Sequence, residues 1–536
     1  MLRRRYLIII ISGLLFSVPF IFPQLNILSF FAGIPFFIIL FDEIINNKKN
    51  KAIKYTCVFG MSFYLPVYIW FFWMYPMEQT GVTELESALI VTAAWLGFPV
   101  LQTFVMLILP FGFKILKNIC ARENINIFFI PVLTACLYVI SEWVQSWFMS
   151  GLTWAKLSVS QYKNLFFIQS VSLFGTYFTS FIIIFINAAI ALYILNKFKN
   201  TKLGYRSGNL PSLRKNNMLI LAVILIYFIN SYVGLFRIIY YDYIEKSGER
   251  QKITAQIIQG NISSYEKWEV SGFENSLKIY ESLIEENTDQ KIDICVLPET
   301  AIPVGISRGS PTYNYLQDLA RNKNITLFTG IIYGEEDKEY NSIIAFDKNY
   351  DFIKPYGKRH LVPFGEYLPL DKIVTKIFPF VSNMTLFDSV LTPGESADIM
   401  SINGVKYGGL VCFDSIFPEL ARKSVKDGAD ILIIATNDSW FRDSPAVYQH
   451  NAQAVLRAVE NNRYVIRSAN TGVSAFISNT GKILQKSNIL QCEVLTENIK
   501  IIKNKTIYTI FGDIILYLSC GYIIFCMGLL IKNKKK

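Results

Sequence analysis

The chain has 536 residues, 52% of them hydrophobic, and a formal net charge of +11. With a mean hydropathy of +0.34 it is too apolar for an ordinary soluble enzyme, and its length leaves room for more than one domain. The positive charge is not a nucleic-acid footprint, because the basic residues sort with the loops of a membrane protein.

In chain order, apolar runs predict about eight membrane spans. They are Tyr6 to Pro23, Leu28 to Phe41, Thr56 to Tyr75, Ala88 to Phe111, Phe128 to Phe148, Ser172 to Leu195, Met218 to Phe236 and Ile507 to Ile531. The start, "MLRRRYLIIIISGLLF", has the basic head and apolar middle of a signal peptide. No small-residue cleavage site follows and another span comes at once, so it reads as an uncleaved first helix. Orientation follows from the short loops. Arg3, Arg4 and Arg5, then Lys48, Lys49, Lys51 and Lys54, then Lys114, Lys117 and Arg122, then Lys197 to Lys215 and the final "KNKKK" all fall on one side. The opposite loop "YPMEQTGVTELES" has no basic residue. Both termini are therefore expected in the cytoplasm, with the segment from about Tyr241 to Thr506 outside. The expected division is a membrane domain over 1–240 with about seven spans, an extracytoplasmic domain over 241–506, and a last span with a basic tail over 507–536. Glu142 is the acid deepest in apolar sequence, and it is expected to hydrogen-bond a neighbouring helix.

From Lys252 to about Ile501 the texture changes to short strands alternating with helices. "ITAQIIQG", "IDICVLPE", "ITLFTGIIYG", "NSIIAFD", "VKYGGLVCF", "ADILIIATN", "YVIRSA" and "GVSAFIS" read as strands, several apolar on both faces as in a covered sheet. Helices are expected over Gly272–Glu286, Tyr313–Asn322, Phe417–Asp427 and Ala446–Asn461. The domain is of layered α/β type and large enough for its own core. Of the eight cysteines, only Cys295, Cys412 and Cys492 lie in it. Their spacing matches no metal site. A Cys295 to Cys492 disulfide is open, but Cys295 sits in an apolar run and reads more simply as a core thiol.

Cys412 ends the strand of "GGLVCFDS", a turn follows, and Pro418 comes soon after. That is how a nucleophile is presented and also how a buried cysteine looks. A thiol needs activation, and the chain has only two histidines, His360 and His450. Another solution pairs a carboxylate as proton acceptor with a lysine that steadies the thiolate and the oxyanion. Glu299, after "ICVLP", and Lys358, opening "KRHLVPFGEYLP", stand at strand ends. Either alone is most often a solvated surface residue; as three separated strand-end residues in one α/β domain, with Cys412, they are stronger candidates.

"LPETAIP", "KRHLVPFGEYLP" and "GGLVCFDSIFPE" resemble the three signature blocks of the nitrilase superfamily, in the form found in the apolipoprotein N-acyltransferase family. "QGNISSYEKW", "ATNDSWFRDSPAVYQH" and "RAVENNRYVIRSANTGVSAFIS" agree, as do "SEWVQSWFMSGLTW" and "IQSVSLFGTYFTSF" in the membrane half. The resemblance implies a polytopic α-helical membrane protein carrying an extracytoplasmic nitrilase-like α-β-β-α sandwich in a bacterial inner membrane. It implies a Glu299-Lys358-Cys412 triad, with Glu299 as general base, Cys412 as nucleophile and Lys358 on the oxyanion. Glu366, Trp268, Phe413 and Asp414 would support the site or bind substrate. The implied reaction moves an acyl chain from a phospholipid, through a Cys412 thioester, to the α-amino group of a diacylglyceryl-modified N-terminal cysteine of an apolipoprotein. No metal or other cofactor is implied, and a monomer is expected.

The family commonly has Tyr and Glu where this chain has Phe413 and Asp414, and glycine where it has Arg442. His360 and His450 read as hydrogen-bonded scaffold. One competing reading is a membrane-tethered carbon-nitrogen hydrolase with the same triad and water as acceptor, though a hydrolase of small amides would need only one anchor. The other is a transporter or lipid-binding protein, which would show discontinuous helices and paired polar residues at mid-membrane; little of that is present.

Overall fold

The computed structural model describes residues 2–45, 51–77, 80–120, 126–147, 151, 153–198, 216–246, 251–269, 271–285, 291–368, 371–377 and 391–534. Lys48, Lys49, Arg122 and most of 197–215, used above for orientation, lie outside the described residues. The chain forms two compact units, one of Met1–Ile69, Ala93–Ile238 and Asp513–Lys536, the other of Trp70–Thr92 and Ile239–Gly512.

The first unit is helical. Among the described residues seven helices are long and apolar enough to cross a membrane, from Arg3–Ile21 to Asn217–Ile244, and Ile514–Leu529 is a shorter apolar helix. The chain is a multi-pass membrane protein. Its apolar stretches form helices because a bilayer core offers backbone amides no water, so each must be satisfied within its own segment. Buried polar side chains link them: Asn187 accepts from the Gly33 amide at 2.9 Å and donates to the Ser29 carbonyl at 2.8 Å. Glu142, only 2% exposed, accepts from the Leu157 amide at 2.9 Å, so this acid does bond a neighbouring segment.

Among the described residues the second unit has thirteen strands. They are β1 (Lys252–Gln259), β2 (Ile294–Val296), β3 (Gly305–Ile306), β4 (Thr326–Glu335), β5 (Lys338–Phe346), β6 (Tyr356–Gly357), β7 (Met400–Ile402), β8 (Val405–Val411), β9 (Ile431–Thr436), β10 (Tyr464–Ala469), β11 (Ala475–Ile477), β12 (Ile483–Lys486) and β13 (Glu493–Lys500). One sheet runs β13-β1-β2-β4-β5-β6 with β3 on β4; the other runs β12-β11-β10-β9-β8-β7. β8, β9 and β10 are parallel, as are β1, β2 and β4.

Alternation along the strands decides the layers. Ile253, Ala255 and Ile257 of β1 pack with Val411, Ile433 and Ile466 of the other sheet in one core. Ile258 and Cys295 point the other way, into a second core with Tyr280, Tyr313 and Leu316 from the helices Gly272–Glu285 and Pro311–Lys323. The helices Pro418–Lys426 and Pro445–Asn461 contact β8 and β10 respectively. The result is the helix-sheet-sheet-helix sandwich expected. Cys295 is fully buried and Cys492 exposed, and no bond joins them, so the disulfide left open above is absent.

Candidate active site

Three strand ends bring the candidate residues together. Glu299 follows β2, Lys358 follows β6 and Cys412 follows β8. Cys412 adopts φ +46 as a tight 3-10 turn, Cys412–Ile416, begins. A non-glycine residue in that region is strained, and at the end of a strand it turns the side chain out of the sheet. Two close approaches make the geometry possible. A Cβ at Gly409 would lie 2.7 Å from the Tyr356 ring, and one at Gly330 would lie 2.5 Å from the Glu299 Cα. Both positions need glycine because the neighbour is packed against the backbone itself.

Lys358, 1% exposed, is the hub. Its ammonium lies 3.3 Å from Glu299 Oε1 and 2.9 Å from Glu366. Burial alone would lower its pKa, but Glu366 and Glu299 outweigh burial and hold it above the ordinary lysine value. Asn341 of β5 donates from one amide nitrogen to Glu299 Oε1 at 2.8 Å and Glu366 Oε1 at 2.7 Å. The remaining carboxylate oxygens take backbone amides, Asn437 on Glu299 at 2.8 Å and Val362 on Glu366 at 2.7 Å. Each carboxylate is therefore satisfied by fixed donors and held in one orientation.

Burial pushes the Cys412 thiol up from its usual value, Glu299 adds to the effect, and Lys358 opposes it. Burial thus favours the neutral form of this thiol, and the nearby charges that bear on it are those of Glu299 and Lys358.

Asp414 is fully buried and organises the loop that carries Lys358. It accepts from the Tyr356 hydroxyl at 2.8 Å and the His360 amide at 2.8 Å, and from the amides of Arg359 and Val411 at 3.3 Å. Phe413 is 7% exposed and meets Phe417 edge-on at 5.2 Å. Trp268 is exposed and adjoins Lys267. His360 stacks on Phe417 at 4.2 Å. His450 bonds Asp438 at 2.8 Å and Ser415 at 3.0 Å, and Arg467 donates to the same Asp438 at 2.6 Å. His450 is thus hydrogen-bonded scaffold under the Cys412–Ile416 turn, whereas the buried Nδ1 of His360 has no hydrogen-bond partner among the described residues, so that ring is held by stacking instead. Among the described residues no cluster of His, Cys, Asp or Glu has the make-up of a metal site.

Sequence reading missed Lys267, Asn341 and Asp438. Lys267 is 1% exposed, and its ammonium contacts the Glu299 carbonyl at 3.2 Å and the Thr300 hydroxyl at 2.8 Å. Burial lowers it to about 7, with Glu299 partly opposing. Its one legible signal is its place in "YEKW", where nothing local distinguishes it from a surface lysine.

Residues 254–501 match the family model of the carbon-nitrogen hydrolases, and residues 12–189 match that of the apolipoprotein N-acyltransferase N-terminal domain. The apolipoprotein N-acyltransferase of Geobacter metallireducens is 28% identical over 518 residues, covering 96% of this chain and 92% of the relative. That of Haemophilus influenzae is 29% identical over 525 residues, again 96% and 92%. A solved structure from Saccharomyces cerevisiae, a member of branch 10 of the nitrilase superfamily, is 22% identical with a TM-score of 0.36 and covers 47% of this chain and 90% of its own.

Proposed function

Because the chain belongs to the apolipoprotein N-acyltransferase family and is an acyltransferase, we propose that it acylates the N-terminal cysteine of lipoproteins in two half-reactions through Cys412. In the first, Glu299 takes the thiol proton as sulfur attacks the ester carbonyl of a phospholipid acyl chain. Lys358 balances the oxyanion. The ester C–O bond breaks, Glu299 returns the proton to the leaving alkoxide, and a lysophospholipid departs from a Cys412 thioester. In the second, the free α-amino group of an S-diacylglyceryl cysteine attacks the thioester. Glu299 accepts the amine proton, the C–S bond breaks, and the proton returns to the thiolate. The product carries an amide-linked acyl chain.

The observation that carries this reading is the Lys358 ammonium, buried and bonded to both Glu299 and Glu366 within 3.3 Å. One carboxylate is needed as the base, and the second keeps the lysine charged when the first is protonated. Substrate anchoring agrees. Acyl chains resist leaving a bilayer at about 0.8 kcal/mol per CH₂, so a catalyst tethered by several spans works where both substrates reside. The excess of Lys and Arg on one set of loops supports an extracytoplasmic catalytic unit in a bacterial inner membrane.

Intact-mass spectrometry after incubation with phospholipid and no acceptor tests the proposal. The expected result is an added acyl mass, absent in Cys412→Ala, removed by hydroxylamine and by a diacylglyceryl peptide that becomes N-acylated. Release of free fatty acid at an undiminished rate with that peptide present would favour the hydrolase reading instead.

A further inference from the structure

A cavity of about 270 Å³ opens in the same unit as Glu299, Lys358 and Cys412, none of which lines it. Three of its lining residues, Asn261 (φ +51), Arg442 (φ +48) and Leu490 (φ +56), hold left-handed backbone without being glycine. Such strain persists only where the surroundings over-determine it, and it concentrates at ligand clamps. Here Asn470 does the determining. Its side chain accepts from the Ile262 amide at 3.0 Å and donates to the Ile262 carbonyl at 2.7 Å and to Asn437 Oδ1 at 3.2 Å. Asn261 donates to the Leu490 carbonyl at 3.0 Å. The walls are thus preformed.

The lining chemistry is one-sided. No carboxylate borders the cavity, Arg442 is exposed at it, and the Thr471 hydroxyl, on a residue 4% exposed, has no hydrogen-bond partner among the described residues. A buried unsatisfied hydroxyl costs free energy unless a ligand or water meets it. A guanidinium and a spare hydroxyl suit a tetrahedral anion, and Met74, Trp440 and Leu490 in the same lining suit the apolar part of an amphipathic ligand. Its place also matters: Ser439 of the cavity is two residues from Asn437, whose amide holds Glu299.

We propose that this cavity binds the phosphodiester of the glycerophospholipid acyl donor, with Arg442 and Thr471 as its ligands. The assignment deepens the acyl-transfer reading and rests on it, so its test is made independent of chemistry. In the full-length Cys412→Ala protein in detergent, calorimetry would follow binding of dihexanoyl phosphatidylglycerol, of dihexanoylglycerol, which lacks the phosphodiester, and of inorganic phosphate. Arg442→Gln and Thr471→Val should each weaken the phospholipid by roughly tenfold and leave dihexanoylglycerol unchanged. Arg442→Gly relieves the backbone strain, so it should fold at least as well and show the same loss. Equal loss for both lipids, or none for the phospholipid, overturns the proposal. So does binding of inorganic phosphate alone. A wild-type enzyme that binds phospholipid through Arg442 but never forms an acyl-enzyme would sink the thioester mechanism and leave this site standing.

Discussion

The Lys267 ammonium donates to the Thr300 hydroxyl at 2.8 Å. Thr300 holds φ +43 immediately after Glu299, so the lysine ties down a strained turn whose position aims the proposed general base. Lys267→Met should fold, because it removes a buried charge of nearly the same shape, yet lower kcat by roughly 10²-fold through a misplaced carboxylate. Lys267 is lowered to about 7 by burial, with Glu299 partly opposing, so through neutral pH the cation beside this turn is lost while a neutral amine still donates to Thr300. Wild-type activity should therefore change through neutral pH, and that limb should vanish from the Lys267→Met profile. An unchanged profile would reduce Lys267 to packing.

Glu299 and Glu366 share Lys358 but should fail differently. Glu299→Gln removes the proton acceptor, so no acyl mass should accumulate. Glu366→Gln keeps the Val362 amide contact but strips one of the two charges that hold Lys358 protonated. Acylation should slow, with kcat reduced and KM for the donor little altered. Comparable KM increases in both variants would argue that these residues bind substrate instead.

Asp438 is held near 2: burial would raise it, but Arg467 and His450 outweigh burial. A depressed carboxylate contributes stability present above its unfolded value of about 3.9 and lost as pH falls toward about 2. His450 is lowered by burial first and by Arg467 second. A histidine favoured as neutral contributes stability above its unfolded value of about 6.5, and this erodes as pH drops below it. Thermal unfolding in detergent should show the shallow acid limb first, and His450→Gln should abolish it. Asp438→Asn leaves the buried Arg467 without its counter-charge and should cost about 3–5 kcal/mol. A melting temperature unaffected by that change would refute the network's structural role.

Gly409→Ala drives a methyl into the Tyr356 ring at 2.7 Å, and Tyr356 is the hydroxyl that holds Asp414. The expected penalty is about 1–3 kcal/mol, together with slower acylation, since the Lys358 loop hangs on Asp414. The cavity-creating double variant Gly409→Ala with Tyr356→Leu should recover stability without recovering rate. Recovery of both would mean that the Asp414 anchor is dispensable.

Much of this protein follows from local pattern. The spans are legible because a bilayer demands long apolar runs, and β1, β4, β9 and β10 because strands buried on both faces read as unbroken apolar sequence. The proposed triad is legible as a charged or reactive residue at the end of each of three strands, in blocks that resemble a family. The two-residue β3 and β6, the three-residue β7, and β12 and β13 with their polar faces escaped because their existence depends on a neighbour to pair with. Lys267, Asn341 and Asp438 escaped for a related reason. A buried lysine, an asparagine bridging two carboxylates and an aspartate between arginine and histidine are ordinary polar residues in sequence. Only packing, which strips them of water and leaves one another as partners, turns them into parts of the site.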